Sequence, residues 1–256
     1  MKVFITGASS GIGRALAQRY AEQGATLGLV ARRAPQLVEL VDALSASGGQ
    51  QHRIYATDVT DTEALSAAAQ AFLREVGTPD VVIASAGVSA GTLTENAEDM
   101  IMFRRIIDTN LLATVATFAP FIGAMRDRPG ARLVGIASVA GVRGMPGSEA
   151  YSASKAAVIS YCESLRVEMH ASAIRVVTIV PGYIATPMTA RNPYRMPFLM
   201  SPERFARQAC RAIARGDSQR IIPWQMAIIA RVLRLLPNAV FDRAFARAPR
   251  KPRAPH

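Results

Sequence analysis

The sequence predicts an α/β fold: a doubly wound, mainly parallel sheet of seven strands with helices on both faces, built as a single domain. Three observations carry this. Short, continuously apolar runs recur without the polar alternation of a half-exposed sheet, as expected for strands buried on both faces. Longer amphipathic segments separate them, so successive strands are joined by helical crossovers. A glycine-rich turn stands between the first strand and the first helix.

In chain order, Val3–Thr6 is the first apolar run and feeds directly into that turn. A helix near 12–23 leads to a second strand at Thr26–Ala31, and a helix near 35–47 to a third at Gln51–Ala56. The amphipathic stretch 61–76 precedes the strand Asp80–Ala84. A long helix near 98–126 precedes Ala131–Ala137, and another near 150–171 precedes Arg175–Val180. A helix at 202–215 and a short strand at Arg220–Pro223 close the sheet. Right-handed crossovers turn this alternation into a doubly wound arrangement. Residues 1–223 therefore form the body, with a substrate loop at about 187–202. Residues 224–247 form an apolar and basic helical extension. The Pro- and Arg-rich stretch 248–256 is expected to be disordered.

At 256 residues, half of them hydrophobic and 19% charged, the chain can fill a large core. No charged region followed by a long apolar run marks a signal peptide at its start. Cys162 and Cys210 are too few for a metal cluster and suit core or interface thiols in a reducing cytoplasm. His52, His170 and His256 lack metal-ligand spacing. The net charge of +11 is local: residues 1–190 balance, and the whole surplus lies in 191–256. A general basic-protein reading is therefore misplaced. Nucleic acid is a poor partner because no aromatic platform accompanies the charge.

Of 30 basic residues only Lys2, Lys155 and Lys251 are lysines. Lys155 stands four residues after Tyr151 in Tyr-Ser-Ala-Ser-Lys, one helical turn away on the same face. A cation there favours the phenolate and lowers the phenol's pKa from about 10, giving a usable acid and base. The plain alternative is a Tyr/Lys pair on a solvated helix face.

The turn Thr6-Gly7-Ala8-Ser9-Ser10-Gly11-Ile12-Gly13 has the spacing G-x-x-x-G-x-G. Glycines there let backbone N–H groups approach a pyrophosphate at a helix N-terminus. An acid at the end of the second strand would bind the ribose 2′-hydroxyl of NAD. This chain instead has Ala31-Arg32-Arg33, two guanidiniums suited to a 2′-phosphate. NADP(H) is therefore the expected cofactor over NAD(H).

Glycine turn and Tyr151-x-x-x-Lys155 together resemble the short-chain dehydrogenase/reductase family over roughly residues 1–190. The resemblance implies a Rossmann-like body and assigns further positions. Asp58 and Val59 match the adenine-holding segment after the third strand. Ser85-Ala86-Gly87 matches the end of the family's Asn-Asn-Ala-Gly, with Ala84 and Ser85 standing where the family has two asparagines. Asn110 matches the helix asparagine, implied to position a water linking Lys155 to solvent. Ser138 matches the catalytic serine. Pro181, Gly182, Ile184 and Thr186 match the segment that meets the nicotinamide carboxamide. Dimers or tetramers formed through the long helices are implied as well.

The chemistry follows from the residues. Hydride transfer to a carbonyl builds an alkoxide that must be polarised and protonated. Ser138 offers a donor, Tyr151 the proton, and Lys155 a charge that holds the tyrosine ready and can reach the nicotinamide ribose. The expected function is NADP(H)-dependent interconversion of a carbonyl and an alcohol on an apolar small molecule. A catalytically silent nucleotide-binding or membrane-associated scaffold is the alternative. In the substrate loop, Met188, Met196, Phe198, Leu199 and Met200 suggest an adaptable apolar lid, and Arg191 or Arg195 could meet an anionic group.

Residues Gln225–Leu236 read as a short helix with Arg231 and Arg234 on one face, and Asn238–Arg247 as a second. At ~1.5 Å per residue the first spans roughly 18 Å, too short to cross a bilayer. Two readings stay open. The segment lies in an anionic membrane interface, peripheral to the inner face of a membrane around a cytoplasmic protein, or it closes the substrate crevice or a subunit contact.

Overall fold

The computed structural model describes residues 1–45 and 51–253. The chain runs β1 (Lys2–Thr6), α1 (Gly11–Ala21), β2 (Thr26–Ala31), α2 (Ala34–Ser45), β3 (Arg53–Ala56), α3 (Thr62–Glu75) and β4 (Val81–Ala84). It continues through α4 (Asp99–Ile107), α5 (Ala113–Met125), β5 (Arg132–Ile136), α6 (Glu149–Glu168), β6 (Arg175–Pro181), α7 (Pro202–Arg215) and β7 (Gln219–Ile222). Two further helices, α8 (Trp224–Leu235) and α9 (Asn238–Phe245), follow. The last two residues of the helix expected at 35–47 lie outside the described residues.

The seven strands form one sheet in the order β3-β2-β1-β4-β5-β6-β7, and every pairing is parallel, without the antiparallel edge that "mainly parallel" allowed. After β1 the chain winds outward to β2 and β3, then returns to β4 on β1's other side. This reversal opens a crevice beyond the carboxyl ends of β1 and β4, where a doubly wound sheet binds its ligand. Helices cover both faces. One core layer packs Leu16, Leu37, Leu40, Phe205 and Ile213 against the sheet. The other packs Leu65, Phe72, Phe118, Phe121 and Leu165. In that second layer Phe4 meets Phe121 with ring centroids 4.8 Å apart and Phe72 edge-on at 5.4 Å.

The helix expected as one piece at 98–126 is interrupted. Between α4 and α5 the residues Asp108–Leu112 form a π-helical turn, which inserts one extra residue and swings Asn110 fully into the interior. The run Asp99–Met125 is long and apolar enough by composition to cross a membrane. Here Phe118, Phe121 and Met125 are wholly buried against the sheet, as in a core helix.

The stretch expected to be disordered behaves differently over its described part. Residues 248–253 form an extended strap rather than a free tail. Gly91 N–H donates to the Pro252 carbonyl at 2.8 Å, and Arg253 Nη2 pairs with Asp99 at 3.0 Å. Residues 254–256, including His256, lie outside the described residues.

Candidate active site

The glycine turn is shaped by steric exclusion. Gly7 has φ +71°, and a Cβ there would sit 2.8 Å from the Ala86 backbone; a Cβ on Gly13 would collide with the Gly7 carbonyl oxygen. The absence of side chains lets the turn lie against the β4 loop while α1 starts directly beneath it. Thr6, expected among the cofactor contacts, does not line the cleft. It is buried, and its Oγ1 accepts from Ser85 N–H and Ala86 N–H at 3.2 and 3.3 Å. The threonine therefore ties the β1 turn to the β4 loop.

The other expected binding residues come together. Gly7, Ser9, Ser10, Gly11, Ile12 and Gly13 form one end of a continuous cleft with Arg32, Arg33, Asp58 and Val59. Its floor is Ser85, Ala86 and Gly87, and its far end is Pro181, Gly182, Ile184 and Thr186 beside Ser138, Tyr151 and Lys155. Arg33 reaches back over the turn, where its Nη2 donates to Ser9 Oγ at 3.0 Å and Ser10 Oγ at 2.9 Å. Arg32 pairs loosely with Asp58 at 3.5 Å. Partial burial opposes ionisation of Asp58, but hydrogen bonds from Thr60 and the Arg32 guanidinium outweigh it and hold the carboxyl below its usual range.

Three residues converge at the far end of the cleft. Ser138 caps the short 3₁₀ turn Val139–Gly141, and its Oγ accepts from Ala140 N–H at 3.2 Å. Tyr151 and Lys155 project from α6, and Lys155 Nζ donates to the Ile136 carbonyl at 2.8 Å. Nζ stands 6.0 Å from the centre of the Tyr151 ring. Burial pushes the Tyr151 pKa up, and a hydrogen bond with Ser138 opposes it. That direction is the reverse of the depression expected from the helix spacing, because desolvation of the phenol outweighs the hydrogen bond with Ser138. Burial also lowers the Lys155 pKa to about 8.

Asn110 is not part of the cleft lining. Its amide is committed: Oδ1 accepts from Val88 N–H at 2.8 Å, and Nδ2 donates to the Val88 carbonyl at 3.0 Å and Ser154 Oγ at 2.9 Å. Ser154 in turn donates to the Tyr151 carbonyl at 2.8 Å. The asparagine thus ties the β4 loop to the helix that carries Tyr151. Ser154 and Val88 were missed from sequence. Ser154 lies inside the Tyr-x-x-x-Lys run, and the inward spacing of that run was the signal available.

A second chamber opens from the cleft at Ser138, Tyr151 and Gly182. Its walls are apolar, with Val139, Val142, Met145, Tyr183, Met188 and Tyr194. Met226, Ile229, Ala230 and Leu233, on one face of α8, form the roof, and Phe245, Ala248 and Pro249 extend it. One face of α8 therefore roofs this chamber. Of the substrate-loop residues, Met188 and Arg195 line the chamber, whereas Phe198 and Leu199 point outward and Met200 joins the core. The chamber also admits Lys251, from the stretch expected to be disordered.

A glycine turn at the switch point of a parallel sheet, leading to paired hydroxyls and a buried lysine, defines a nucleotide-binding oxidoreductase architecture. Residues 1–195 match the family model described as short chain dehydrogenase, and the chain belongs to that family. It is 40% identical over 243 residues to a protein of Myxococcus xanthus named as an uncharacterized oxidoreductase, covering 95% of each chain. Among solved structures it resembles an alcohol dehydrogenase from the archaeon Thermococcus sibiricus complexed with 5-hydroxy-NADP. That match has TM-score 0.77 and 26% identity over 86% of this chain and 95% of the other. It also resembles L-sorbose reductase from Gluconobacter frateurii complexed with NADPH and L-sorbose, with TM-score 0.78 and 25% identity over 86% and 94%.

Proposed function

We propose that this oxidoreductase uses NADP(H) to interconvert a carbonyl and an alcohol on an apolar small molecule. One observation carries the reading: the Ser138 and Tyr151 hydroxyls stand where the glycine-lined cleft opens into the apolar chamber. The cleft fits a dinucleotide through its glycine cradle, and Ser85 Oγ at its floor is buried without a hydrogen-bond partner among the described residues. When bound, the nicotinamide supplies or accepts the hydride.

The residues divide the remaining work. Ser138, oriented by the Ala140 N–H it accepts, donates to the substrate oxygen. Tyr151 delivers its proton to that oxygen in reduction and recovers one from the alcohol in oxidation. Lys155, compact and buried, favours the phenolate, and arginine would not reproduce its geometry. Asn110 acts as a positioning residue through Ser154 and the Val88 loop. The experiment is NADPH oxidation against a panel of apolar ketones and aldehydes. Turnover of at least one supports the reading, and saturable NADPH binding without turnover of any counts against it.

Cofactor preference has its own test. Arg33→Ala removes the guanidinium that crosses the turn, so NADPH affinity should fall about 10- to 100-fold, as for loss of a charge-assisted contact. NADH affinity should change only slightly. Fluorescence titration of both nucleotides reads this, and unchanged NADPH affinity would remove Arg33 from the site.

The reading extends to an anionic membrane surface at the cytoplasmic face. Its support is the outward side of α8, where Trp224, Ile228, Val232 and Leu235 are exposed on one stripe with Arg231 beside it. The local charge surplus of 191–256 is complementary to anionic lipid. In flotation with phosphatidylglycerol vesicles the full protein should float, and Trp224→Glu/Leu235→Glu should stay behind. Equal recovery of both would sink the membrane contact without touching the oxidoreductase assignment.

A further inference from the structure

The chamber beside Tyr151 holds one ammonium that the proposed chemistry does not use. Lys251 reaches into it from the strap, with Nζ 5.5 Å from the centre of the Tyr151 ring and 2.7 Å from Ser89 Oγ. Lys155 approaches the same ring at 6.0 Å, so the tyrosine is flanked by two lysines. In a chain that otherwise writes its cations as arginine, two of three lysines lie at one side chain.

The strap that delivers Lys251 is anchored on both sides of it. The Pro252 carbonyl accepts from Gly91 N–H, and Gly91 bridges to Arg253 in parallel fashion. Arg253 donates through Nε and Nη2 to the Asp99 carboxylate, which is almost fully buried. Lys251 itself forms no ion pair with a carboxylate among the described residues, and no Asp or Glu lines the chamber. The other cations there are differently placed. Arg143 is committed to the Leu233 and Leu236 carbonyls at 2.7 Å each, to Asn238, and to the face of Phe241. Arg195 is exposed.

A largely enclosed ammonium with spare donors, in an apolar chamber without carboxylates, lacks the counter-charge that burial demands. The partial desolvation that lowers its pKa to about 8 expresses the same deficit. We propose that Lys251 is an anion-recognition residue of the substrate chamber, and that the substrate is an apolar organic acid whose carboxylate lies a few bonds from the reacting carbonyl or alcohol. The short separation follows from geometry, since one ring serves both the proton transfer and the flank on which Lys251 stands. Neither Arg191 nor Arg195, the residues that sequence reasoning offered for an anionic group, provides this enclosed charge.

The inference rests on the oxidoreductase reading, and its test needs no turnover. Calorimetric titration of the NADP⁺-saturated protein with octanoate and with octanamide compares one apolar chain with and without charge. Octanoate should bind about 10- to 100-fold tighter, the span expected for a charge-assisted hydrogen bond. Lys251→Met should abolish that preference while leaving octanamide affinity within about twofold, and Lys251→Arg should retain part of it. Unchanged NADP⁺ affinity and a melting temperature no lower than that of the natural protein show that each variant is folded. Equal affinities in the natural protein, a preference that survives Lys251→Met, or no saturable octanoate binding would each overturn the proposal. Failure of NADPH oxidation across both neutral and carboxylate-bearing apolar carbonyls would instead strike the oxidoreductase reading, so the two are told apart.

Discussion

Tyr151→Phe is expected to lower kcat by about 10²- to 10⁴-fold, the usual contribution of a positioned general acid, with NADPH affinity unchanged. The substitution removes one hydroxyl, and the ring keeps its place between Lys155 and Lys251. Because burial holds the free phenol protonated, the group stands ready as an acid for reduction. Ser138 would still polarise the carbonyl but would have no neighbour to complete the proton transfer. Steady-state rates under saturating carbonyl, with NADPH titrated separately by fluorescence, separate loss of chemistry from loss of binding.

The second large effect has two opposing parts. Lys155→Met should abolish most turnover and, near neutral pH, stabilise the cofactor-free protein. The ammonium is almost fully buried, and its one hydrogen bond among the described residues is to the Ile136 carbonyl. Burial lowers its pKa from 10.5 to about 8, a displacement worth on the order of 3 kcal/mol. The sign follows from linkage. Between about pH 8 and 10.5 the unfolded chain keeps a proton that the folded chain has released, so natural stability rises with pH across that window. Below about 8 both states are protonated and the full burial cost is present. The advantage of Lys155→Met should therefore be largest at pH 7 and shrink toward pH 10.5. Urea unfolding at pH 7 and pH 10 reads it. A variant less stable than the natural protein at pH 7 would show that the Ile136 bond outweighs desolvation. Such a residue exchanges stability for chemistry, as functional sites commonly do.

The fold was legible because its strands are continuously apolar. β1, β2 and β6 contain no polar alternation, which only a doubly covered sheet tolerates. Helix α7 was legible to its ends because Ser201, Pro202 and Gly216 mark them: Ser201 Oγ accepts from Arg204 N–H, and Gly216 takes the left-handed conformation at φ +73°. The π turn was not legible. Nothing in Asp-Thr-Asn-Leu-Leu announces an extra residue, and tertiary demand for the Asn110 amide at Val88 and Ser154 explains it better than any propensity.

The site divides in the same way. Glycine turn and Tyr-x-x-x-Lys are short-range patterns, each contained in one turn of chain, so spacing revealed them. Thr6 adjoins Gly7 in the chain, whereas its hydroxyl faces inward to the β4 loop. Lys251 lay in a stretch of prolines and arginines whose composition says nothing of order. What holds it is the Asp99–Arg253 pairing and the Gly91 main chain, contacts more than 150 residues apart in sequence. Its one available signal was the rarity of lysine, the same observation that singled out Lys155.

The central claim joins a nicotinamide cleft to proton transfer at Tyr151, and deuterium tracing tests it most directly. The protein and Tyr151→Phe are incubated with NADPH carrying deuterium at the transferable position and with a reducible apolar ketone, and the alcohol is read by mass spectrometry. The account predicts one deuterium on the carbinol carbon, formed about 10²- to 10⁴-fold more slowly by the variant. Label appearing at the same rate from both proteins would contradict it.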